Sequence, residues 1–113
     1  MLLEPGDNLL VVHRRLFEGD QSRFFVGRVE AYEDGLVRIE GYSFARDSVD
    51  GNLCRKEESQ AKLYAIGSGT LITYFIPAEV DVAQLKMETR KSGLTLTDGQ
   101  RFSMNISEWV HHY

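Results

Sequence analysis

The chain has 113 residues, of which 42% are hydrophobic, so it suits one domain over residues 1–113 that folds without disulfides or a structural metal. Its formal net charge of −4, from 17 acidic and 13 basic residues, disfavours broad electrostatic binding to nucleic acid without excluding it. No apolar run has the length of a membrane span and no signal-peptide pattern is present, so we expect no membrane association and a cytoplasmic protein.

Short segments rich in β-branched and aromatic residues alternate with turn signals, which is the pattern of an all-β domain. Five strands are predicted in the first two thirds of the chain, at 8–17, 23–32, 36–45, 62–66 and 70–76. The polar stretch 46–60 between the third and fourth strands has almost nothing to bury. A loop of that length in a small domain is either mobile or functional.

Residues 82–92 permit two interpretations. Asp81 followed by Gln84 resembles a helix N-cap with its reciprocal partner. On a helix, however, Leu85 and Met87 would lie about 200° apart and could not share one buried face. Their alternation with charged residues favours a strand.

We therefore expect one helical turn near 79–84, followed by a β-hairpin. Its clearest turn is 97–100, where Asp98 and Gly99 are expected to adopt the positive φ values of a type I′ turn. The return strand is 101–106. Phe102, Met104 and Ile106 are expected to lie on one face of this strand.

The stretch RFFVGRVEAYEDGLVRIEGYSF, residues 23–44, breaks its own alternation. If Val29 and Tyr32 are both buried, the strand must change parity between them, as a β-bulge allows. Gly27 provides room for a sharp bend. Strongly bent short strands are required to close a small barrel, so the sequence favours a small barrel over a flat sheet.

These residues resemble the first motif of the Sm and Sm-like proteins, in which a hydrophobic residue, a glycine, two further hydrophobics and an acid mark a bent second strand. The matching residues are Phe25, Gly27, Val29, Tyr32 and Glu33. The second family motif, a hydrophobic residue, Arg-Gly and an apolar strand, is similar to 66–69 followed by 70–76. The resemblance implies a strongly bent five-stranded small barrel over 8–76, with 77–113 appended as a turn and a C-terminal β-hairpin.

In Sm-like proteins, the strand that corresponds to 71–76 pairs edge to edge with the next subunit and closes a ring. Here this strand is apolar on both faces, so it is either central in a covered sheet or part of a subunit contact. The resemblance favours a homo-oligomer, while the C-terminal hairpin is the alternative cover. The candidate self-association residues are Leu71, Ile72, Tyr74 and Phe75.

The family's uridine pocket uses an asparagine and an arginine, whose positions are held here by Val37 and Ser68. Valine cannot hydrogen-bond a base edge, and serine can neither stack on a base nor neutralise a phosphate. Binding of single-stranded RNA therefore stays an alternative that depends on aromatic and arginine side chains. The candidate RNA-binding residues are Phe24, Arg28, Tyr32 and Arg38.

Two loops are candidates to contact a partner, which could be a protein. The candidate loop residues are Glu33, Asp34, Gly35, Ser68 and Gly69.

Catalysis is the weakest alternative, because no acid, base and nucleophile converge in the sequence. The lone Cys54 has no second cysteine or nearby histidine, so we expect no metal and no cofactor.

The leading hypothesis is a non-catalytic, self-assembling interaction module that is Sm-like and ring-forming. An RNA-binding protein and a small enzyme of unknown class are the alternatives.

Overall fold

A computed structural model describes residues 2–14 and 23–107. These residues form an all-β structure whose strand pairs are all antiparallel. The strands are β1 (Asn8–His13), β2 (Arg23–Glu33), β3 (Leu36–Arg46), β4 (Leu53–Arg55), β5 (Gln60–Ala65), β6 (Leu71–Ile76), β7 (Lys86–Arg90), β8 (Gly93–Thr97) and β9 (Ser103–Asn105). A 3-10 turn, Val82–Gln84, separates β6 from β7. No helix in this part of the chain is long and apolar enough to cross a membrane.

The first sheet has the order β4-β3-β2-β1-β6, and β5 also pairs with β3. β5 pairs with the first half of β3 and β4 with its end. The strand order has two ends, so hydrogen bonding between the described strands leaves an open sheet rather than a closed barrel. The sheet has six strands instead of the expected five, because β4 lies in the stretch 46–60 that the sequence indicated to be a loop.

Gly27 and Gly41 lie opposite each other on β2 and β3. A Cβ added to Gly27 would lie 2.5 Å from Ile39 Cγ2 and 2.6 Å from the Glu40 carbonyl oxygen. A Cβ added to Gly41 would collide with the backbone of Val26 and Gly27. Only glycine fits at this pair, which brings the backbones of the two longest strands into close contact.

A β-bulge follows Gly27 on β2. The register between β2 and β3 shifts between Val29, which pairs with Ile39, and Ala31, which pairs with Arg38. Glu30 is the additional residue, as in other bulges where two residues oppose one. This confirms the change of parity that the sequence predicted for this stretch.

The first sheet buries residues on both of its faces. The inner cluster consists of Leu3, Leu9, Val11, Phe25, Val29, Val37 and Ile39. The sheet curls toward this face. The curl is seen in the contact between Phe25 on β2 and Tyr64 on β5, whose ring centroids are 5.9 Å apart although β3 lies between the two strands. The outer cluster combines the other face of the sheet with the C-terminal residues Leu85, Met87, Leu96 and Ile106.

The C-terminal residues form a second sheet, with the order β7-β8-β9. Asp81 caps the 3-10 turn, because its carboxylate accepts a hydrogen bond of 3.0 Å from the Ala83 N–H. Met87 lies on β7, so the strand interpretation is confirmed for Lys86–Arg90. The appended unit is a three-stranded sheet, one strand more than the predicted hairpin, and it covers the outer face of the first sheet.

The type I′ turn predicted at 97–100 is wrong. Within the described residues, the only positive φ outside glycine belongs to Asp34, at 49°, and Gly35 follows it with 81°. The two-residue turn with positive φ at both positions therefore joins β2 to β3. At the other site, the Asp98 carboxylate accepts hydrogen bonds from the N–H groups of Gln100, Arg101 and Phe102, which makes a wider loop.

β1 ends at His13, whereas the sequence predicted a strand to residue 17. Residues 15–17, the rest of that predicted strand, lie outside the described residues.

We expect Gly41→Ala to lower the free energy of unfolding by about 2 kcal/mol or more, because the added methyl group meets backbone atoms that cannot rotate away. The urea midpoint measures this loss. Gly67→Ala is the matched control, since no atom lies within 4 Å of its added Cβ. Equal midpoints for the two variants would contradict the close strand approach.

Asp98 is expected to make stability depend on acid pH. Hydrogen bonds from the backbone N–H groups, first that of Gln100 and then that of Phe102, lower the pKa of its carboxyl below the ordinary 3.8. The ionised Asp98 carboxylate therefore gives its full stabilisation at pH values above the ordinary pKa. This stabilisation is lost as the pH falls through the lowered pKa of the folded state.

The wild type should accordingly be more stable than Asp98→Asn at neutral pH, and the difference should shrink as the pH falls below about 4. Urea unfolding of both proteins across this range measures the difference. A difference that is constant with pH would show that the charge of Asp98 plays no part.

Candidate functional site

β6 is an edge strand of the first sheet. Among the described strands it pairs with β1 alone, in a register that places Ile72 opposite Val12 and Tyr74 opposite Leu10. Ile72 and Tyr74 pack against the outer cluster, so the second sheet covers this face of the strand. The hydrogen-bonding edge that points away from β1 meets no other strand of the described residues.

The other face of β6 is only partly covered. Leu71 packs against the inner cluster, whereas the side chain of Phe75 is 57% exposed. The interpretation as a covered strand is therefore confirmed for one face, and the subunit contact stays a prediction. The far edge is unpaired among the described strands, and Phe75 is exposed.

β5 is another edge strand of the first sheet. It pairs with β3 from Leu36 opposite Ala65 to Gly41 opposite Gln60, and its far side meets no other described strand. Leu63, near the middle of β5, is 65% exposed. The open edges of β5 and β6 thus each carry one large apolar side chain in contact with solvent.

The two candidate ligand loops come together at one end of the sheet. The Ile66 N–H donates a hydrogen bond of 3.0 Å to the Gly35 carbonyl oxygen, which joins the 66–70 turn to the β2–β3 turn. Glu33, Asp34 and Gly69 are exposed. The Ser68 hydroxyl lies 2.8 Å from the Thr70 hydroxyl, so this side chain is held within its own turn.

Val37 lies in the inner cluster with none of its surface exposed. A side chain at this position packs between the strands and has no contact with the loop surface. The residue that stands at the family's asparagine position is therefore part of the core of this protein.

The four candidate RNA-binding residues do not share one surface. Phe24 is buried in the outer cluster, while Tyr32 is half-buried against the inner cluster on the opposite face of the sheet. Arg28 is exposed, and Arg38 is exposed with its Nε 3.3 Å from Glu30 Oε1. The geometry provides no common stacking platform for the two aromatic rings.

An open cavity of about 470 Å³ lies at the end of the curled sheet where β1 finishes and β2 begins. We call it the basic pocket, because its lining includes His13, Arg23, Arg46, Lys56 and Lys62. Sequence reasoning did not find it. These residues lie on separate strands and loops, and only the curl of the sheet brings them together.

Among residues 2–14 and 23–107, no three side chains of His, Cys, Asp or Glu are grouped to hold a metal ion. Cys54 is exposed, and its thiol lies 3.9 Å from the Asn52 carbonyl oxygen.

Comparison of the chain with protein-family models, with curated proteins and with solved structures finds no match.

We expect Val37→Thr to lower the free energy of unfolding by about 1–3 kcal/mol, because it places a hydroxyl of nearly the same size where water cannot reach it. Val49→Thr makes the same change at a side chain that is 93% exposed and should be nearly neutral. Denaturant midpoints measure both. A tolerated threonine at position 37 would place this residue at an accessible site instead of the core.

Proposed function

We propose that the protein is a non-catalytic interaction module that assembles with copies of itself. In this assembly the open edge of β6 pairs with the open edge of β5 in the next copy. The observation that supports the proposal is that both edges are unpaired in the described residues and each presents an exposed apolar side chain, Phe75 and Leu63.

An unpaired strand edge presents a row of N–H and C=O groups that readily pair with another chain, so proteins usually protect such edges with charges, prolines or bulges. The sequence of β6, LITYFI, contains no charged residue and no proline. β5 and β6 have six residues each, so they can match along their full lengths. Pairing would satisfy the backbone groups and remove Phe75 and Leu63 from water.

A contact between two different edges is heterologous. Such contacts form a closed ring when the rotation between subunits closes, and a filament when it does not. The resemblance to Sm-like proteins favours the ring, since the corresponding strand of that family pairs edge to edge with the next subunit. Two further features support an Sm-like subunit, namely the bend at Gly27 and the bulge that follows it.

The second sheet has no counterpart in that resemblance. It covers the outer face beside β6 and leaves the edge open, so it is compatible with edge pairing. The joined loops at Gly35 and Ile66 then lie at one end of every subunit, where they form a repeated surface for a protein partner.

Single-stranded RNA binding is not proposed for the surface at Arg28 and Arg38. The burial of Phe24 and the position of Tyr32 on the opposite face remove the two stacking rings. Val37 provides no polar group to read a base.

We expect the wild type at high micromolar concentration to have a mass that is a multiple of 12.9 kDa, as measured by sedimentation equilibrium. Phe75→Lys and Leu63→Lys should each weaken assembly at least about tenfold, because each puts a charge into the apolar contact. Val49→Lys changes an exposed side chain outside both edges and should leave the mass unchanged.

A mixture of the two edge variants tests the heterologous pairing directly. Each variant keeps one intact edge, so the mixture should form a dimer through the intact β5 of one and the intact β6 of the other. A monomeric wild type would overturn self-association. Variants that assemble alone as well as the wild type, or a mixture that stays monomeric, would overturn this pairing of edges.

A further inference from the structure

We infer that the basic pocket binds a small phosphate-bearing molecule. The observation behind this is the collection of cationic side chains in one concave site of an acidic chain. The pocket lining includes Arg23, Arg46, Lys56 and Lys62, and its described residues contain none of the chain's 17 acidic side chains.

The cations converge because the sheet curls. Lys62 on β5 donates a hydrogen bond of 2.9 Å from Nζ to the Ser43 hydroxyl on β3, and its Nζ lies 4.9 Å from the centre of the Phe25 ring. Arg23 at the start of β2 donates from its guanidinium to the His13 ring, at 3.2 Å. The two cations therefore reach the same cavity from different strands.

Within the described residues, no carboxylate forms an ion pair with Arg23, Arg46, Lys56 or Lys62. Ion pairs to glutamates do form outside the pocket, at Arg38, Lys86 and Arg90. Burial lowers the pKa of the Lys62 ammonium, and the charges of Lys56 and Arg23 lower it further. A bound anion would relieve the repulsion between these groups.

The side chains suit a phosphate group. Two guanidinium groups and two ammonium groups can together neutralise a dianion, and the Arg fork matches the spacing of phosphate oxygens. Part of the donor capacity is already used, because Arg46 donates to the Gly51 carbonyl oxygen at 2.8 Å. Lys56 is exposed and is held by no carboxylate of the described chain, so it can turn toward a ligand.

The size of the site favours a small molecule over a nucleic-acid strand. A volume of about 470 Å³ falls in the range of small-molecule pockets. Tyr64, half-buried at the wall beside Phe25, offers a ring surface to an organic group attached to the phosphate. The pocket forms within one copy of the chain, so ligand binding does not depend on the proposed self-association.

Calorimetric titration with adenosine 5′-monophosphate and with inorganic phosphate, at constant ionic strength, tests the proposal. Both should bind with a saturable heat, whereas adenosine without its phosphate should bind much more weakly. Lys62→Met and Lys56→Met should each weaken phosphate binding by about tenfold, since each removes one charge-assisted contact. Lys86→Met is the matched control on the second sheet.

Lys56 is exposed, so its variant keeps the test valid even if Lys62→Met disturbs the fold. Repeating the titration in Phe75→Lys separates this proposal from self-association, because a monomeric variant should bind phosphate as the wild type does. Absence of saturable binding by either phosphate compound would overturn the proposal. Equal losses in the pocket variants and in Lys86→Met would overturn it too, and so would binding confined to oligonucleotides.

Discussion

The close approach of two backbones at Gly27 and Gly41 is the constraint on which the rest of the structure depends. Any side chain at either position would meet the opposite strand, so the two longest strands can bend together only with glycine on both. The bend turns β5 back toward β2, which places Tyr64 against Phe25 and encloses the inner cluster. The basic pocket at the end of the curl is a consequence of the same contact.

A second constraint is the burial of β1 on both faces. Leu9 and Val11 belong to the inner cluster, and Leu10 and Val12 to the outer one, so the outer face requires a cover. The second sheet supplies it. The buried Asn8 holds the connection, because its side-chain amide donates hydrogen bonds to the carbonyl oxygens of Pro77 and Val80. This arrangement covers one face of β6 and leaves its far edge without a partner among the described strands.

Local patterns predicted the parts of the fold that local geometry decides. Alternation located the long strands, and the odd spacing from Val29 to Tyr32 predicted the bulge. The Asp-Gly signal located the turn at 97–100 but predicted the wrong conformation for it, since the type I′ turn lies at Asp34 and Gly35. At Asp98 the carboxylate binds three backbone N–H groups and makes a wider loop, whereas Asp34 and Gly35 have only two residues in which to reverse the chain.

The candidate sites, too, were predicted from the sequence only in part. The sequence singled out 71–76 as an unusual strand, and it indicated the two loops that the structure joins at Gly35 and Ile66. The predicted change of parity between Val29 and Tyr32 already implied that Phe24 and Tyr32 lie on opposite faces of the strand. Only the structure shows that Phe24 is buried in the outer cluster beneath the second sheet. The sequence pattern did not predict β4 either. Its three residues carry almost no pattern of their own and become a strand only by pairing with the end of β3.

The sequence by itself determined that this is an all-β chain with a bent, bulged second strand and an apolar strand at 71–76. Those properties depend on the spacing of residues along the chain and on the absence of a side chain at Gly27. They can therefore be inferred from residues that are close together in the sequence. The tertiary structure alone decided the open edges, the role of the second sheet as a cover and the meeting of Arg23, Lys56 and Lys62 in one pocket. These depend on contacts between residues far apart in the chain, which form only when the strands bend around the glycine pair.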